Sequence, residues 1–344
     1  MNKRIEAVDV LRGLTMTLMI LVNMPGNWSF RYPLLQHASW NGLTPTDFVF
    51  PCFLFVMGVS MFFSFRKSEF SLSWKVFRRF LLLMGIGILL NVIGMFVHGT
   101  FAIENIRWMG VLQRFGLCFG VTAVLVCTVP HKWLGWIATG ILVFYSALLL
   151  LGNGYAQGEE NILVRADRAI LGASHMYRWE NGLDPEGLLS TLPAIAHTLI
   201  GFLVGKLLYQ KDFRKMDSVG TLLLVGGFLL MWLLPLNKKI WSPSFVLVVC
   251  GLGTLLLSLL YWLIDETHVW KHTGFWKVFG TNAIYCYIMS DVMAWTWHLT
   301  GFQSWVMDKV PQTEFFSLLF ALFCVLLIWL LALPLYKKKV FIKL

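Results

Sequence analysis

Residues 78–97 read RRFLLLMGIGILLNVIGMFV, two arginines followed by an apolar run with no charged side chain. A run of this length is typical of a helix that crosses a lipid bilayer, whose hydrocarbon core takes about 20 apolar residues. Backbone groups in lipid must find their hydrogen-bond partners within the segment, and the sequence has no series of short alternating strands. The run therefore predicts a transmembrane helix.

The rest of the chain has the same character. Of its 344 residues, 58% are hydrophobic and 13% are charged, whereas soluble domains carry about 25% charged residues. Ten apolar segments can be marked, at 8–24, 46–65, 78–97, 111–129, 134–152, 189–209, 218–235, 244–264, 276–297 and 315–335. We therefore predict an all-α, polytopic membrane protein of about ten transmembrane helices, with residues 1–344 forming one integral-membrane domain. Its first span is not expected to be a cleaved signal peptide.

Lysine and arginine are divided unequally between alternate loops. Eighteen lie in the two chain ends and in the loops near residues 66–79, 132, 206–215 and 271–277, and eight lie in the other loops. Because basic loops stay in the cytoplasm, both termini are predicted inside and the long loop at 153–188 outside. The net charge of +10 forms no basic domain, so nucleic acid is not an expected partner.

Common catalytic and cofactor motifs do not occur in the sequence. It has no Walker loop, no GxGxxG after a strand and no HExxH. The six cysteines lie in apolar stretches without a CxxC pair, so we expect packing residues and predict neither a disulfide nor a metal site. An enzyme built on this chain would form its site from loop and helix-end residues.

Residues 37–51, HASWNGLTPTDFVFP, combine a helix start with a histidine. Thr44, Pro45 and Asp47 suit the N-cap, first and third positions of a helix. The carboxylate of Asp47 could also hold the imidazole of His37 and favour its charged form. The residues alone leave both roles of Asp47 open, and a single loop histidine more often has no catalytic role.

Other polar residues lie within or beside the apolar segments. Arg12 is three residues from Asp9 and could anchor the first helix in an ion pair or meet an anionic ligand. Asn23 could stabilise a turn or join a site. Arg114 is the deepest charge of the fourth segment and needs a partner or an anion. Lys238 lies at the predicted outer end of a membrane span, where its side chain could simply extend to the membrane–water interface.

Six blocks occur in an order that closely resembles the membrane-bound heparan-α-glucosaminide N-acetyltransferase family and its bacterial relatives. They are VDVLRGLTM, HASWNGLTPTDFVFP, GVLQRFG, DPEGLLSTLPAI, NKKIWSPSFVL and FGTNAIYCY. The resemblance runs from about residue 5 to about residue 335. The chain looks like the bacterial core form, without the large lumenal N-terminal domain of the animal enzymes. Those enzymes move an acetyl group from cytosolic acetyl-CoA to the glucosamine amine of heparan sulfate across the membrane.

The resemblance implies a catalytic role for His37, matched to the family's active histidine, with Asn23 and Asp47 beside it. A few more residues separate Asn23 from His37 than the family pattern has. His37 would take a proton from the attacking amine or be acetylated transiently. Asp47 would orient the ring, and Asn23 would donate to the developing oxyanion.

Further contacts follow from the same motifs. Those expected to bind acetyl-CoA, the only cofactor-like molecule implied, are Arg12, Gln113, Arg114 and Asn282. Those expected to bind the acceptor, an amino sugar or glycosaminoglycan-type glycan, are Trp40, Asn41, Asp184, Glu186, Asn237 and Lys238. The lipid bilayer is a partner, and a homodimer is one option for assembly. Two alternatives stay open: a transporter for amino sugars or N-acetylated sugars, and a partner subunit with a degenerate site.

Overall fold

The apolar segments fold into helices. A computed structural model describes residues 5–177 and 181–342, and these residues contain thirteen α-helices and no strand. The helices are α1 Glu6–Asn23, α2 Pro45–Lys67, α3 Trp74–Val97, α4 Val111–Thr128, α5 Leu134–Leu151, α6 Ile162–Leu171, α7 Thr191–Gln210, α8 Phe213–Leu230, α9 Pro243–Tyr261, α10 Gly274–Thr281, α11 Ala283–Thr300, α12 Phe302–Met307 and α13 Glu314–Lys337. The prediction of an all-α fold is confirmed.

Several of these helices are long and apolar enough to cross a membrane. Within the described ranges seven meet that standard, namely α2, α3, α4, α5, α7, α9 with its short continuation to Glu266, and α13. A chain with this many apolar helices is a multi-pass membrane protein. The larger count of about ten spans, and the cytoplasmic placement of both termini, stay predictions.

The ninth apolar segment is not one helix, and the prediction of a continuous helix over 276–297 is wrong. α10 ends at Thr281 and α11 starts at Ala283, with Asn282 between them at φ −126° and ψ 41°. The Asn282 side chain donates to the carbonyl of Val340 at 3.2 Å and accepts from the amide of Ile342 at 2.9 Å. Hydropathy missed the break because the flanking residues on both sides are apolar.

The described residues divide into two compact units. The first unit takes residues 5–38, 44–53 and 256–342, and the second takes 39–43, 54–177 and 181–255. In the first unit α1 packs on α10, α11 and α13. Gly13 faces the backbone of Trp276, and Gly280 faces the carbonyl of Asp9, so closely that a Cβ at either glycine would collide. This close approach fixes α10 against α1.

The second unit is built around α7. The most apolar 18-residue stretch of α7 is 78% buried, against 11% for that of α3. The burial of α7 is high because α4, α5 and α8 pack around this helix. The loop predicted at 153–188 also contains the ten-residue helix α6, which is too short to mark as a membrane span. Asn161 holds its start: the buried side chain accepts from Leu163 and donates to the carbonyls of Gly154 and Ala156, at 2.7–2.8 Å. The described parts of the long loop, 153–177 and 181–188, thus belong to the second unit.

Candidate functional site

The start of α2 brings His37 to Asp47 within the first unit. Imidazole Nδ1 lies 2.6 Å from Asp47 Oδ1. A carboxylate only accepts hydrogen bonds, so Nδ1 carries a proton, and the neutral form of this tautomer has its lone pair at Nε2. The side chain of Asp47 is 2% exposed and that of His37 is 48% exposed. The pair therefore has a buried carboxylate behind an accessible imidazole.

The other oxygen of Asp47 caps the helix. Oδ2 accepts from the amides of Ala38 at 3.0 Å and Thr44 at 3.2 Å, and from the Thr44 hydroxyl at 3.0 Å. The amide of Asp47 lies 3.3 Å from the same hydroxyl, which completes a reciprocal cap. Asp47 therefore contacts the His37 ring with one carboxylate oxygen and caps the helix with the other.

The segment that leads to His37 is fixed to α13 at its beginning. Gly26 donates to the carbonyl of Ser317 at 3.1 Å, and Asn27 donates to the Ser317 hydroxyl at 3.0 Å. Nearer to His37, the Gln36 side chain donates to the carbonyl of Arg31 at 2.8 Å. These bonds reduce the freedom of the backbone that carries the imidazole.

Asn23 is less closely integrated. It is the last residue of α1 and its side chain is exposed. Among the described residues, no hydrogen bond that joins Asn23 to His37 or Asp47 is seen. The structure brings together two of the three predicted catalytic residues, and the contribution of Asn23 stays a prediction.

Residues 39–43, which follow His37 and Ala38 in the chain, belong to the second unit. Trp40 donates from its indole to the carbonyl of Tyr155 at 3.1 Å. Asn237 donates from its side chain to Asn41 at 3.2 Å and accepts from the amide of Ile240 at 3.2 Å. Three of the residues predicted to contact the acceptor thus also pin this short segment to other parts of the second unit.

An ion cluster holds the end of the long loop in the second unit. Arg107 donates to both oxygens of Asp184, through Nε at 3.1 Å and through Nη2, and also from Nη2 to Glu186 at 2.6 Å. Asp184 is fully buried and accepts the amides of Tyr177 and Glu186 at 3.0 Å as well. Asp184 therefore binds Arg107 and the backbone amides of Tyr177 and Glu186 together, while the Glu186 side chain stays partly exposed.

Charge pairing offsets burial in this cluster. Burial alone would lower the pKa of Arg107, but the charges and hydrogen bonds of Glu186 and Asp184 raise it above its ordinary value. Burial alone would raise the pKa of Glu186, but Arg107 and Arg114 lower it, with a smaller contribution from Lys238. The role of Arg107 was not predictable from the sequence, because its partners lie 77 and 79 positions away along the chain.

Arg114 lies one turn into α4 and is fully buried. Its Nη2 donates to the carbonyl of Gly187 at 3.0 Å and to the hydroxyl of Ser190, and its guanidinium carbon is 4.9 Å from the centre of the Trp241 ring. Within the described part of the chain, Arg114 Nε and Nη1 and the neighbouring Gln113 Nε2 have no hydrogen-bond partner. Unused buried donors of this kind fit a ligand that brings acceptor oxygens.

Two further residues that are predicted to bind acetyl-CoA lie in the first unit. Arg12 donates from Nη1 to Asp9 at 3.3 Å and to the carbonyl of Gly280 at 3.0 Å. The ion pair considered for Arg12 is therefore formed. Asn282 is buried and bound to the backbone of residues 340 and 342, as described above. Both side chains have protein partners that account for their positions.

Sequence reasoning also missed Asp167 on α6. It is fully buried, and its Oδ1 accepts from the amide of Leu189 at 3.0 Å. Oδ2 has no hydrogen-bond partner in the described ranges. Burial raises the pKa of Asp167 to about 6, so the fold favours its protonated form. Asp167 lies outside the ten apolar segments, and its burial depends on contacts with residues such as Leu189, 22 positions away.

Replacing Asp167 with asparagine should therefore change stability in a pH-dependent way. Since the folded-state pKa lies above the ordinary value of 3.8, wild-type stability falls as pH rises from about 4 through 6, by about 3 kcal/mol at most. Asparagine does not titrate, so the melting temperature of Asp167→Asn relative to wild type should rise between pH 4.5 and pH 7.5. Asp217→Asn, on the exposed surface of α8, is the matched control. A pH-independent difference for Asp167→Asn would contradict the assignment.

Comparison with known proteins adds to this geometry. A sequence profile of the family described as "Heparan-alpha-glucosaminide N-acetyltransferase, catalytic" matches residues 4–234. The chain is 30% identical to heparan-alpha-glucosaminide N-acetyltransferase of Mus musculus over 408 aligned positions, which take in 99% of this chain and 60% of the mouse protein. It is 29% identical to the Homo sapiens protein of that name over 410 positions, with the same coverage. The chain thus spans 60% of the length of these relatives.

Proposed function

Because the chain belongs to the heparan-alpha-glucosaminide N-acetyltransferase family, we propose that it transfers an acetyl group from acetyl-CoA to the amine of a glucosamine-type sugar. The observation that carries this proposal is the His37–Asp47 pair. An amino sugar at neutral pH carries its amine mainly as the ammonium, which cannot attack a thioester. An imidazole with its lone pair at Nε2 is suited to remove that proton.

The reaction balances with His37 as the base. One ammonium proton passes to Nε2, the amine nitrogen forms a bond to the acetyl carbon, and the carbon–sulfur bond breaks to release CoA as a thiolate. A second proton leaves the nitrogen for the thiolate, which gives the neutral amide and the CoA thiol, and the proton on His37 then passes to water. Asp47 holds the ring through Nδ1 and stabilises its cation meanwhile. A two-step route, in which Nε2 itself takes the acetyl group first, uses the same geometry.

We propose that Arg114 and Gln113, in the second unit, contact acetyl-CoA. Their unused buried donors suit the amide and thioester carbonyls of acetyl-CoA, and the positive charge of Arg114 suits an anionic group. Arg12 and Asn282 stay proposed donor contacts of the first unit. Since their side chains already bind protein groups, we expect smaller effects on acetyl-CoA affinity from changing them.

For the acceptor, we propose contacts with the second-unit residues Trp40, Asn41, Glu186, Asn237 and Lys238. Glu186 keeps partial exposure beside its arginine partners, which leaves room for an approaching hydroxyl or ammonium group. Asp184 is enclosed by protein donors, so its proposed part is to hold Glu186 in place. We further propose that acetyl-CoA enters from the cytoplasm and that the acceptor lies on the periplasmic side of the inner membrane. We also propose that the protein assembles as a homodimer.

A sided transfer assay tests the function. Purified protein is reconstituted in sealed liposomes, with radiolabelled acetyl-CoA outside and glucosamine inside. Liposomes with the two substrates exchanged test the protein molecules that are inserted in the opposite orientation. We expect labelled N-acetylglucosamine inside the liposomes, because acetyl passes through the protein while neither substrate crosses the lipid. Product only when both substrates share one side would overturn transmembrane transfer. Glucosamine movement without any acetylation would overturn the enzyme and support a carrier.

A further inference from the structure

A cleft in the first unit lies beside the segment that leads to His37. The end of α1 contributes Leu21, the loop contributes Leu35, and the first turns of α13 contribute Leu318 to its apolar wall. Arg31 and Glu314 line the same cleft. We propose that one membrane phospholipid with a zwitterionic aminoethyl-phosphate headgroup lies across the mouth of this cleft, which at about 10 Å³ is too small to enclose the headgroup. This proposal is independent of acetyl transfer.

The position of the cleft along α13 indicates a lipid. α13 is one of the seven apolar helices long enough to cross a membrane, and Glu314 is its first residue. Its 24 residues make a helix about 36 Å long, longer than the hydrocarbon core of about 30 Å. The first turn of α13 therefore lies where hydrocarbon gives way to headgroups, and so does the cleft.

The loop itself has the composition of a membrane interface. Its exposed large side chains recur at alternate positions, Trp28, Phe30, Tyr32 and Leu34. Aromatic rings of this type are enriched at headgroup level. The loop is ordered rather than loose: Arg31 Nε donates to the carbonyl of Trp28 at 2.7 Å, and its guanidinium lies over the Trp28 ring. An ordered apolar surface at this depth fits lipid contact better than water.

The two charges select the headgroup. Arg31 and Glu314 both line the cleft, yet no ion pair joins these two described side chains. A guanidinium offers several N–H donors to phosphate, and a carboxylate accepts from a primary ammonium. A phosphoethanolamine headgroup supplies both ions, with its acyl chain beginning against the apolar wall. Phosphatidylglycerol lacks the amine, and phosphatidylcholine has a quaternary amine without an N–H donor.

Native mass spectrometry of the full-length protein, titrated in detergent with one lipid at a time, tests the proposal. Wild type should retain phosphatidylethanolamine at least fivefold better than phosphatidylcholine or phosphatidylglycerol. Arg31→Gln should reduce retention of all three lipids, because all carry the phosphate. Glu314→Gln should reduce retention of phosphatidylethanolamine alone, because only this lipid offers N–H donors to the carboxylate. Lys309→Gln, which removes an exposed cation on the same unit, should change nothing.

The variants should fold, because the Glu314 side chain is exposed and Arg31 is partly exposed, and equal melting temperatures would verify this. Equal retention of phosphatidylethanolamine by wild type and Arg31→Gln would overturn the site. Equal retention of phosphatidylethanolamine and phosphatidylglycerol by wild type would overturn the headgroup assignment. Loss of acetyl transfer in the liposome assay would leave these lipid measurements unchanged, so the two proposals fail separately.

Discussion

Replacing His37 with alanine is expected to lower acetyl transfer to glucosamine at least about a hundredfold, the effect of a positioned proton acceptor. The protein should stay folded, since nearly half of the His37 side chain is exposed. Asp47 keeps its bonds to Ala38 and Thr44 when the ring is gone. Acetyl-CoA affinity, measured by calorimetry, should therefore change little while the transfer rate falls.

The matched control is His98→Ala, which removes an exposed histidine at the end of α3 and should keep full activity. A His37→Ala protein that acetylates glucosamine at near the wild-type rate would end the proposal. The companion variant is Asp47→Asn. Its amide oxygen can still accept from the Ala38 and Thr44 amides, which turns its NH₂ group toward His37 Nδ1. The imidazole must then accept at Nδ1 and carry its proton on Nε2, the tautomer that cannot act as a base. A loss close to that of His37→Ala, with the helix start intact, is expected.

The second large effect is expected at Arg107. Alanine there would leave the fully buried carboxylate of Asp184 and that of Glu186 without their shared cation. Removing one partner of a buried ion pair costs about 3–5 kcal/mol, a large part of the stability of an ordinary domain. We expect a markedly lower melting temperature in detergent and faster proteolysis of the segment that follows α6.

Arg168→Ala provides the matched control, since Arg168 pairs at 3.0 Å with Glu159 and both side chains are well exposed. Exposed pairs contribute about 0–1 kcal/mol. Arg107→Lys keeps the charge but loses the paired geometry, and it should fall between wild type and Arg107→Ala if the latter folds too poorly to measure. Equal melting temperatures for Arg107→Ala and Arg168→Ala would show that the cluster does not hold the loop.

Helix positions were predictable because hydropathy is a local property. The apolar runs at 78–97 and 134–152 end within a few residues of α3 and α5. The break at Asn282 was not predictable in the same way, since the interactions that stabilise it come from residues 340 and 342, about 60 positions away. Helix α6 was missed for a different reason: its amphipathic sequence, ILVRADRAIL, is only ten residues long and so is too short to mark as a membrane span.

The site was predictable to a similar degree. The cap at Thr44 follows from adjacent residues, and the catalytic assignment of His37 came from the resemblance rather than from spacing. Burial, which decides the chemistry of Arg114 and Asp167, is set by side chains from distant parts of the chain. Sequence identified Arg114 because a charge within an apolar run is conspicuous. It missed Asp167 because a charge between two arginines of a short amphipathic helix is not conspicuous.

The two oxygens of Asp47 have a consequence for how this protein can diversify. One carboxylate serves both the imidazole of His37 and the start of α2, so a substitution that removes both of its oxygens acts on two traits together. A lineage could replace His37 and keep the first turn of α2, but one that lost both oxygens of Asp47 would have to rebuild that turn in the same evolutionary step. Tolerance to mutation should therefore be far lower at Asp47 than at His37 for folding, and low at both for activity.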